Sequence, residues 1–381
     1  MRIDWPTSQG WPLNLCTGGE TMAPKYDPNV NLYRKPKRAL ATDMMESLAV
    51  GGVMRPVLDR VLADDRLRMD IRHNQFDVYY GGGKLMAAAW GKGGWDLRFD
   101  ANYFKGLSAS DGTLAGLTAF ARLPDQGALP ALPDFPPMPA LPRTITGPDD
   151  GRAWADAFDG LMAAMDARWK HHPKTERADC QDIARVNHAR PDSTTNQPPP
   201  RTAEPRLQPG PSPLPPTDFV VLDLEYQWAQ RRFDLMAARR HPTPDDPVGW
   251  AHPRLAYVEV KSEIGACTGK AGLADHARDF ADIVTARDGA YIQGIKDEFA
   301  TVIRQKQALG LIAPGFPFQG FSPDQPELVF VTVDLDMTTP TRLALWNPVH
   351  QTARDLGLHA FQLIQLQRRD LTMTRAKVKW I

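Results

Sequence analysis

Three short runs near the middle of the chain, residues 220–225, 233–237 and 255–261, each set carboxylates among apolar residues. Such runs read as strands. Acidic groups on a half-buried strand are costly unless something cationic sits beside them. A tight hairpin turning at Ala229 and Gln230 places Glu225 opposite Asp234. A second antiparallel pairing across the proline-rich stretch 241–253, with Arg239 opposite Arg254, places Asp234 opposite Glu259. Directly opposed side chains lie about 5 Å apart, so Glu225, Asp234 and Glu259 are predicted to form one row across three strands. Lys261, two residues past Glu259, shares its face. Carboxylates this close repel, whereas a divalent ion with oxygen ligands turns the row into a binding site. The expected cofactor is Mg²⁺ or Mn²⁺.

An Asp early in one strand followed by Glu-Val-Lys in the next resembles the PD-(D/E)XK nuclease superfamily. The likeness rests on Phe233-Asp234-Leu235 and Val258-Glu259-Val260-Lys261, with helix candidates on both sides, and it covers roughly 175–335. Phe233 stands where the eponymous motif has proline. The resemblance implies a restriction-endonuclease-like core, Asp234 and Glu259 as metal ligands, the Val260 carbonyl as a further ligand, and Lys261 as the catalytic lysine that orients the attacking water. Glu225 joins the metal set from the register. The implied activity is metal-dependent hydrolysis of nucleic-acid phosphodiesters, with DNA favoured over RNA as partner, in a restriction or defence role. The rival readings are a noncatalytic binding or assembly module on the same fold, and phosphate chemistry on a small ester. A sheet with one solvated face bearing weak surface ion pairs would look similar in sequence.

Four further residues are weighed against that site. The resemblance makes Glu176 and Gln181, on the helix ahead of the strands, supplementary residues near the metal, although a first-turn Glu is also favoured by the helix dipole alone. His276 and Lys270 are candidates for touching substrate phosphate; a lone histidine on an apolar helix face is more often packed. Cys267-Thr268-Gly269-Lys270 lacks the glycine spacing and the Ser/Thr of a nucleotide-binding loop, which argues against nucleotide hydrolysis. Tyr79 and Tyr80 could stack on bases, but an aromatic hairpin in a small sheet is usually core.

Several elements must position these residues. The 381-residue chain has room for more than one domain, and its 45 basic and 45 acidic residues balance, so no global positive field announces a nucleic-acid partner. Cys16, Cys180 and Cys267 show no paired spacing, which argues against a disulfide framework or a structural zinc site. The acid and proline of the first six residues and the lack of a long apolar run predict a cytoplasmic protein with no membrane partner.

Composition divides the chain into an arm (1–45), a helix and antiparallel meander (46–120), a proline-rich connector (121–150) and the nuclease-like domain (151–381) with a proline-rich insertion at 191–216. Eight prolines between Pro124 and Pro148, and ten between Pro191 and Pro216, mark the two stiff stretches. The fold class expected is mixed α/β: a mixed sheet flanked by helices, with a smaller N-terminal helix-plus-antiparallel-sheet domain. A near-continuous apolar run at 328–333 reads as a strand covered on both faces and parallel to a neighbour, and 361–366 as a further edge strand. The resemblance also admits a homodimer, and the N-terminal domain offers a surface for a protein partner.

Overall fold

The computed structural model describes residues 38–91, 94–99, 103, 141–171, 175–189, 217–228, 231–268, 271–285, 289–335, 340–358, 361–374 and 377–379. The arm before residue 38, most of the first proline-rich connector and the whole insertion at 191–216 lie outside them.

Helices α1 (Thr42–Leu48) and α2 (Arg55–Ala63) lead into strands β1 (Arg68–Arg72), β2 (Gln75–Tyr80), β3 (Gly83–Gly91) and β4 (Gly94–Arg98). With β5 (Thr144–Ile145) these form a five-stranded antiparallel sheet in sequential order. Period-two alternation puts Met69, Ile71, Phe76 and Val78 into one core. Helix α3 (Pro148–His171) closes that core with Trp154, Phe158, Leu161 and Met165, four residues on one helical face. This helix, which composition groups with the second unit from residue 151, therefore packs on the first sheet.

The second sheet is mixed. Helix α4 (Thr175–Val186) precedes β6 (Phe219–Trp228), β7 (Arg231–Arg239) and β8 (Arg254–Lys261), which pair antiparallel. Helices α5 (Leu273–Thr285) and α6 (Ala290–Ala308) carry the chain to β9 (Glu327–Val333), which lies parallel to β8. Helix α7 (Pro340–Asp355) then leads to β10 (Phe361–Leu366), parallel to β9, and the two-residue β11 (Val378–Lys379) forms the outer edge. The sheet order is β6-β7-β8-β9-β10-β11.

Every residue of β9 is buried, as its apolar run requires. Leu328 and Phe330 face α5, α6 and α7, whereas Val329, Val331 and Val333 face α4. Each such side chain withdrawn from water contributes about 1.5–3 kcal/mol. The class is thus mixed α/β, with helices on both faces of the larger sheet.

β6 ends the larger sheet, so its outer backbone groups lack a strand partner. Side chains from the rest of the protein take that place. Arg68 donates to the Val221 carbonyl at 2.9 Å, Lys306 to the Leu222 carbonyl at 2.6 Å and Arg72 to the Leu224 carbonyl, while Asp70 accepts from the Leu224 amide at 3.2 Å. Asp70 is fully buried and lies 2.7 Å from the Lys306 amine and 2.9 Å from Arg68. Burial raises a carboxyl's proton affinity, but these two cations outweigh it and hold Asp70 below the usual carboxylate range. Ionic side chains thus weld the two sheets at β1 and β6. Asp223 belongs to this seam, 3.0 Å from Arg38 and 3.4 Å from Arg72.

Candidate functional site

β7 and β8 bring the acidic pair together. Their register runs from Arg239 opposite Arg254 to Leu235 opposite Val258, so Asp234 meets the stretch that carries Glu259. Asp234 Oδ2 accepts from the Val260 amide at 2.9 Å, which fixes its carboxylate against that strand. Burial first, and then the nearby Glu259 charge, push the Asp234 carboxyl up to about 7. The Glu259 charge thus disfavours ionisation of Asp234. Val260 lies with its peptide against this pair; the Asp234 contact is made by its N–H.

Glu259 is 3% exposed and faces Lys261 and the His276 ring. Lys261 Nζ donates to Glu259 Oε1 at 2.6 Å, and His276 Nε2 stands 2.8 Å from the same oxygen, although the ring N–H is not aligned along that line. Burial raises the proton affinity of Glu259, yet His276 and Lys261 together bring it below its ordinary value. Reciprocally, burial disfavours the charged forms of Lys261 and His276, but Glu259 overrides it and keeps both protonated to higher pH. Glu259 Oε2, the second oxygen, is buried and has no hydrogen-bond partner. An ionised oxygen left in that state is costly.

Glu176, in the first turn of α4, lies 4.0 Å from Lys261 Nζ. Its proton affinity is raised, chiefly by burial, with Lys261 opposing and Glu259 and Glu263 assisting. The structure therefore assembles Glu176, Asp234, Glu259, Lys261 and His276 around the end of β8.

Other expectations are corrected. Glu225 does fall opposite Asp234 in the β6–β7 register, but its carboxylate turns out of the row: it adopts φ of +53°, the left-handed region that a non-glycine residue rarely occupies in a strand. The chain changes faces there, since Leu224 and Leu235 pack with α4 whereas Tyr226 and Phe233 pack beneath α5. The Glu225 carboxylate goes to Arg232 and, at 3.7 Å, to Arg177. The Gln181 side-chain oxygen is committed elsewhere, accepting from the Gly82 amide at the β2–β3 turn. That turn lies so close to α4 that a Cβ on Gly82 would meet the Ala178 nitrogen at 2.8 Å, and Gly82 has φ of +92°. His276 is 7% exposed and serves as a charge partner of Glu259 instead of facing a substrate. Lys270 lies outside the described residues. Tyr79 is buried in the core between the sheets, donating nothing to a stacking surface, and its hydroxyl accepts from Arg72 at 2.8 Å.

Sequence reasoning missed a strut beside the site. Asp179, on α4, binds Arg368 through two contacts at 2.9 and 2.8 Å and accepts from the Ser262 hydroxyl at 2.5 Å, the residue after Lys261. Arg368 also reaches Asp334 at 3.0 Å. The i, i+3 spacing of Glu176 and Asp179 on one helical face was the available signal.

Among the described residues no three His, Cys, Asp or Glu side chains converge in the manner of a complete metal-binding group. The orphaned Glu259 Oε2 and the proton-hungry Asp234 nevertheless fit a hard cation that retains water, which needs only one or two protein carboxylates. No helix among the described residues is long and apolar enough to cross a membrane. Comparison with protein-family models, curated proteins and solved structures gave no match.

Proposed function

We propose that the chain is a divalent-metal-dependent nuclease whose acidic pair is Asp234 and Glu259. The observation that carries the reading is the meeting of these two carboxylates and Lys261 at the ends of adjacent strands, with one carboxylate oxygen buried and unpaired. The element order of helix, three antiparallel strands, helices and a parallel strand supports it, since the PD-(D/E)XK core to which the sequence is similar runs helix, three strands, helix and strand, here with α6 as an additional helix before β9. Asp234 and Glu259 would hold Mg²⁺ or Mn²⁺, with the Val260 carbonyl as a further ligand. A cation held there supplies positive charge to the phosphoryl group and makes water more acidic. Lys261, kept protonated by Glu259, orients the attacking water and offsets the charge that develops on the phosphate. His276 stands at the same Glu259 oxygen, 2.8 Å away. Glu176 and the Asp179–Ser262 strut hold the end of β8 in place.

A restriction or defence effector acting on DNA is the role we favour. Plasmid, linear DNA and RNA incubated with the protein and Mg²⁺ or Mn²⁺ test the activity: cutting is expected, and Asp234→Ala, Glu259→Ala and Lys261→Ala should each abolish it. Undiminished cutting by those variants contradicts the assignment. One observation favours a second reading, a binding module without catalysis: Glu259 Oε1 is already engaged by Lys261 and faced by the His276 ring. A protein that binds DNA but leaves it intact with every divalent ion would support that reading.

A further inference from the structure

The turning of the Glu225 carboxylate out of the acidic row leaves an unexplained arrangement beside the site. Glu225 holds a left-handed backbone conformation within β6, which tertiary contacts must sustain, and residues kept in such conformations cluster where structure serves function. What the conformation achieves is visible. It carries the carboxylate, 32% exposed, to two guanidinium groups from different elements: Arg232 of β7, two residues before Asp234, and Arg177 of α4, next to Glu176. Both arginines are about half exposed, at 46% and 50%. Among the described residues, Glu225 is the only acid within ion-pair distance of either.

One carboxylate cannot neutralise two guanidiniums, so the trio keeps a net positive charge on a surface whose neighbours are acidic. Each guanidinium presents five N–H donors in a planar fork suited to phosphate oxygens, and a shared carboxylate leaves most of them unused. The arginines belong to the two elements that bring Asp234 and Glu176 to the end of β8. Because β6 and β7 set Glu225 opposite Asp234, the two guanidiniums that pair with it stand beside the acidic pair.

We propose that Arg177 and Arg232, oriented by Glu225, form a clamp for phosphates of the polynucleotide adjacent to the one attacked. The proposal rests on the nuclease reading above and adds how substrate is held: through the backbone, without regard to base sequence. It also explains how a chain with no net charge can engage nucleic acid, because the positive field is local.

The test is fluorescence anisotropy of the full chain in EDTA, which suppresses cutting, with fluorescein-labelled duplex DNA and RNA of several sequences over a range of salt. Arg177→Gln and Arg232→Gln should each weaken binding about ten-fold. Each should also reduce the slope of log affinity against log salt by about one, equally for all sequences. Both sites are exposed, and thermal melting checks that the variants stay folded. Glu225→Gln should leave Mn²⁺ affinity unchanged, and a loss there would return Glu225 to the metal set and overturn the clamp. If the parent cuts DNA with Mn²⁺ while both arginine variants bind as it does at every salt concentration, the clamp is wrong and the nuclease reading stands. A parent that neither binds nor cuts any polynucleotide overturns both.

Discussion

Replacing Asp234 by Asn separates the stability of the site from its chemistry. Burial and the neighbouring Glu259 charge push Asp234 up to about 7, well above the roughly 3.9 of an aspartate in an unfolded chain. That difference amounts to about 4 kcal/mol between its two protonation states, and to about 2–4 kcal/mol once partial access of water to the half-buried carboxyl is allowed. The folded chain holds this proton more tightly than the unfolded one. Its stabilising effect is therefore complete below about pH 4 and is lost as pH rises to about 7.

Asn keeps a carbonyl oxygen that can accept from the Val260 amide, and it carries no charge to repel Glu259. At about pH 8 the Asp234→Asn protein should be more stable than its parent by about 2–4 kcal/mol, and at about pH 4 the two should converge. Urea denaturation at the two pH values, without divalent ions, measures this. An Asn variant that is no more stable than the parent at the higher pH would refute the claim that the carboxylates are forced together. The same variant should be inactive, as expected where a site is built against stability.

Three other substitutions probe separate parts of the account. Lys261→Met removes the cation facing Glu259 and should lower the rate of phosphodiester cleavage by about 10²–10⁴ while leaving nucleic-acid binding nearly intact, as steady-state kinetics would show. Asp70→Asn breaks the buried contacts to Lys306 and Arg68 at the seam and should cost about 3–5 kcal/mol in urea denaturation. Gly82→Ala places a methyl group against the backbone of α4 at a left-handed position, so it should lower thermal stability and, by shifting the helix that bears Glu176, reduce activity.

Much of this architecture was written in local pattern. Alternation at 67–71, 76–80 and 95–99 gave the meander, and the unbroken apolar run at 328–333 gave a strand buried on both faces. The pairing of Arg239 with Arg254 followed from continuing the two strands back to the proline-rich turn, and it brings Asp234 to Glu259. The failures share a cause. The hairpin register that sets Glu225 opposite Asp234 was legible, but the left-handed conformation of Glu225, which turns its carboxylate to two arginines, was not, because no glycine marks the spot. Gln181 was assigned by its helix position, whereas its partner Gly82 is 99 residues away. The Asp70–Lys306 pair spans 236 residues, and nothing in either local sequence announces it. His276 lay on an evident apolar face, yet only the fold reveals that Glu259 faces it.

Calorimetric titration of the metal-free protein with Mn²⁺ tests the central claim most directly, because it depends on the acidic pair and on no particular substrate. The expected result is a single site that Asp234→Ala and Glu259→Ala each abolish, with affinity rising as pH approaches about 7 and Asp234 loses its proton. No binding by the parent, or binding that survives both substitutions, would contradict it.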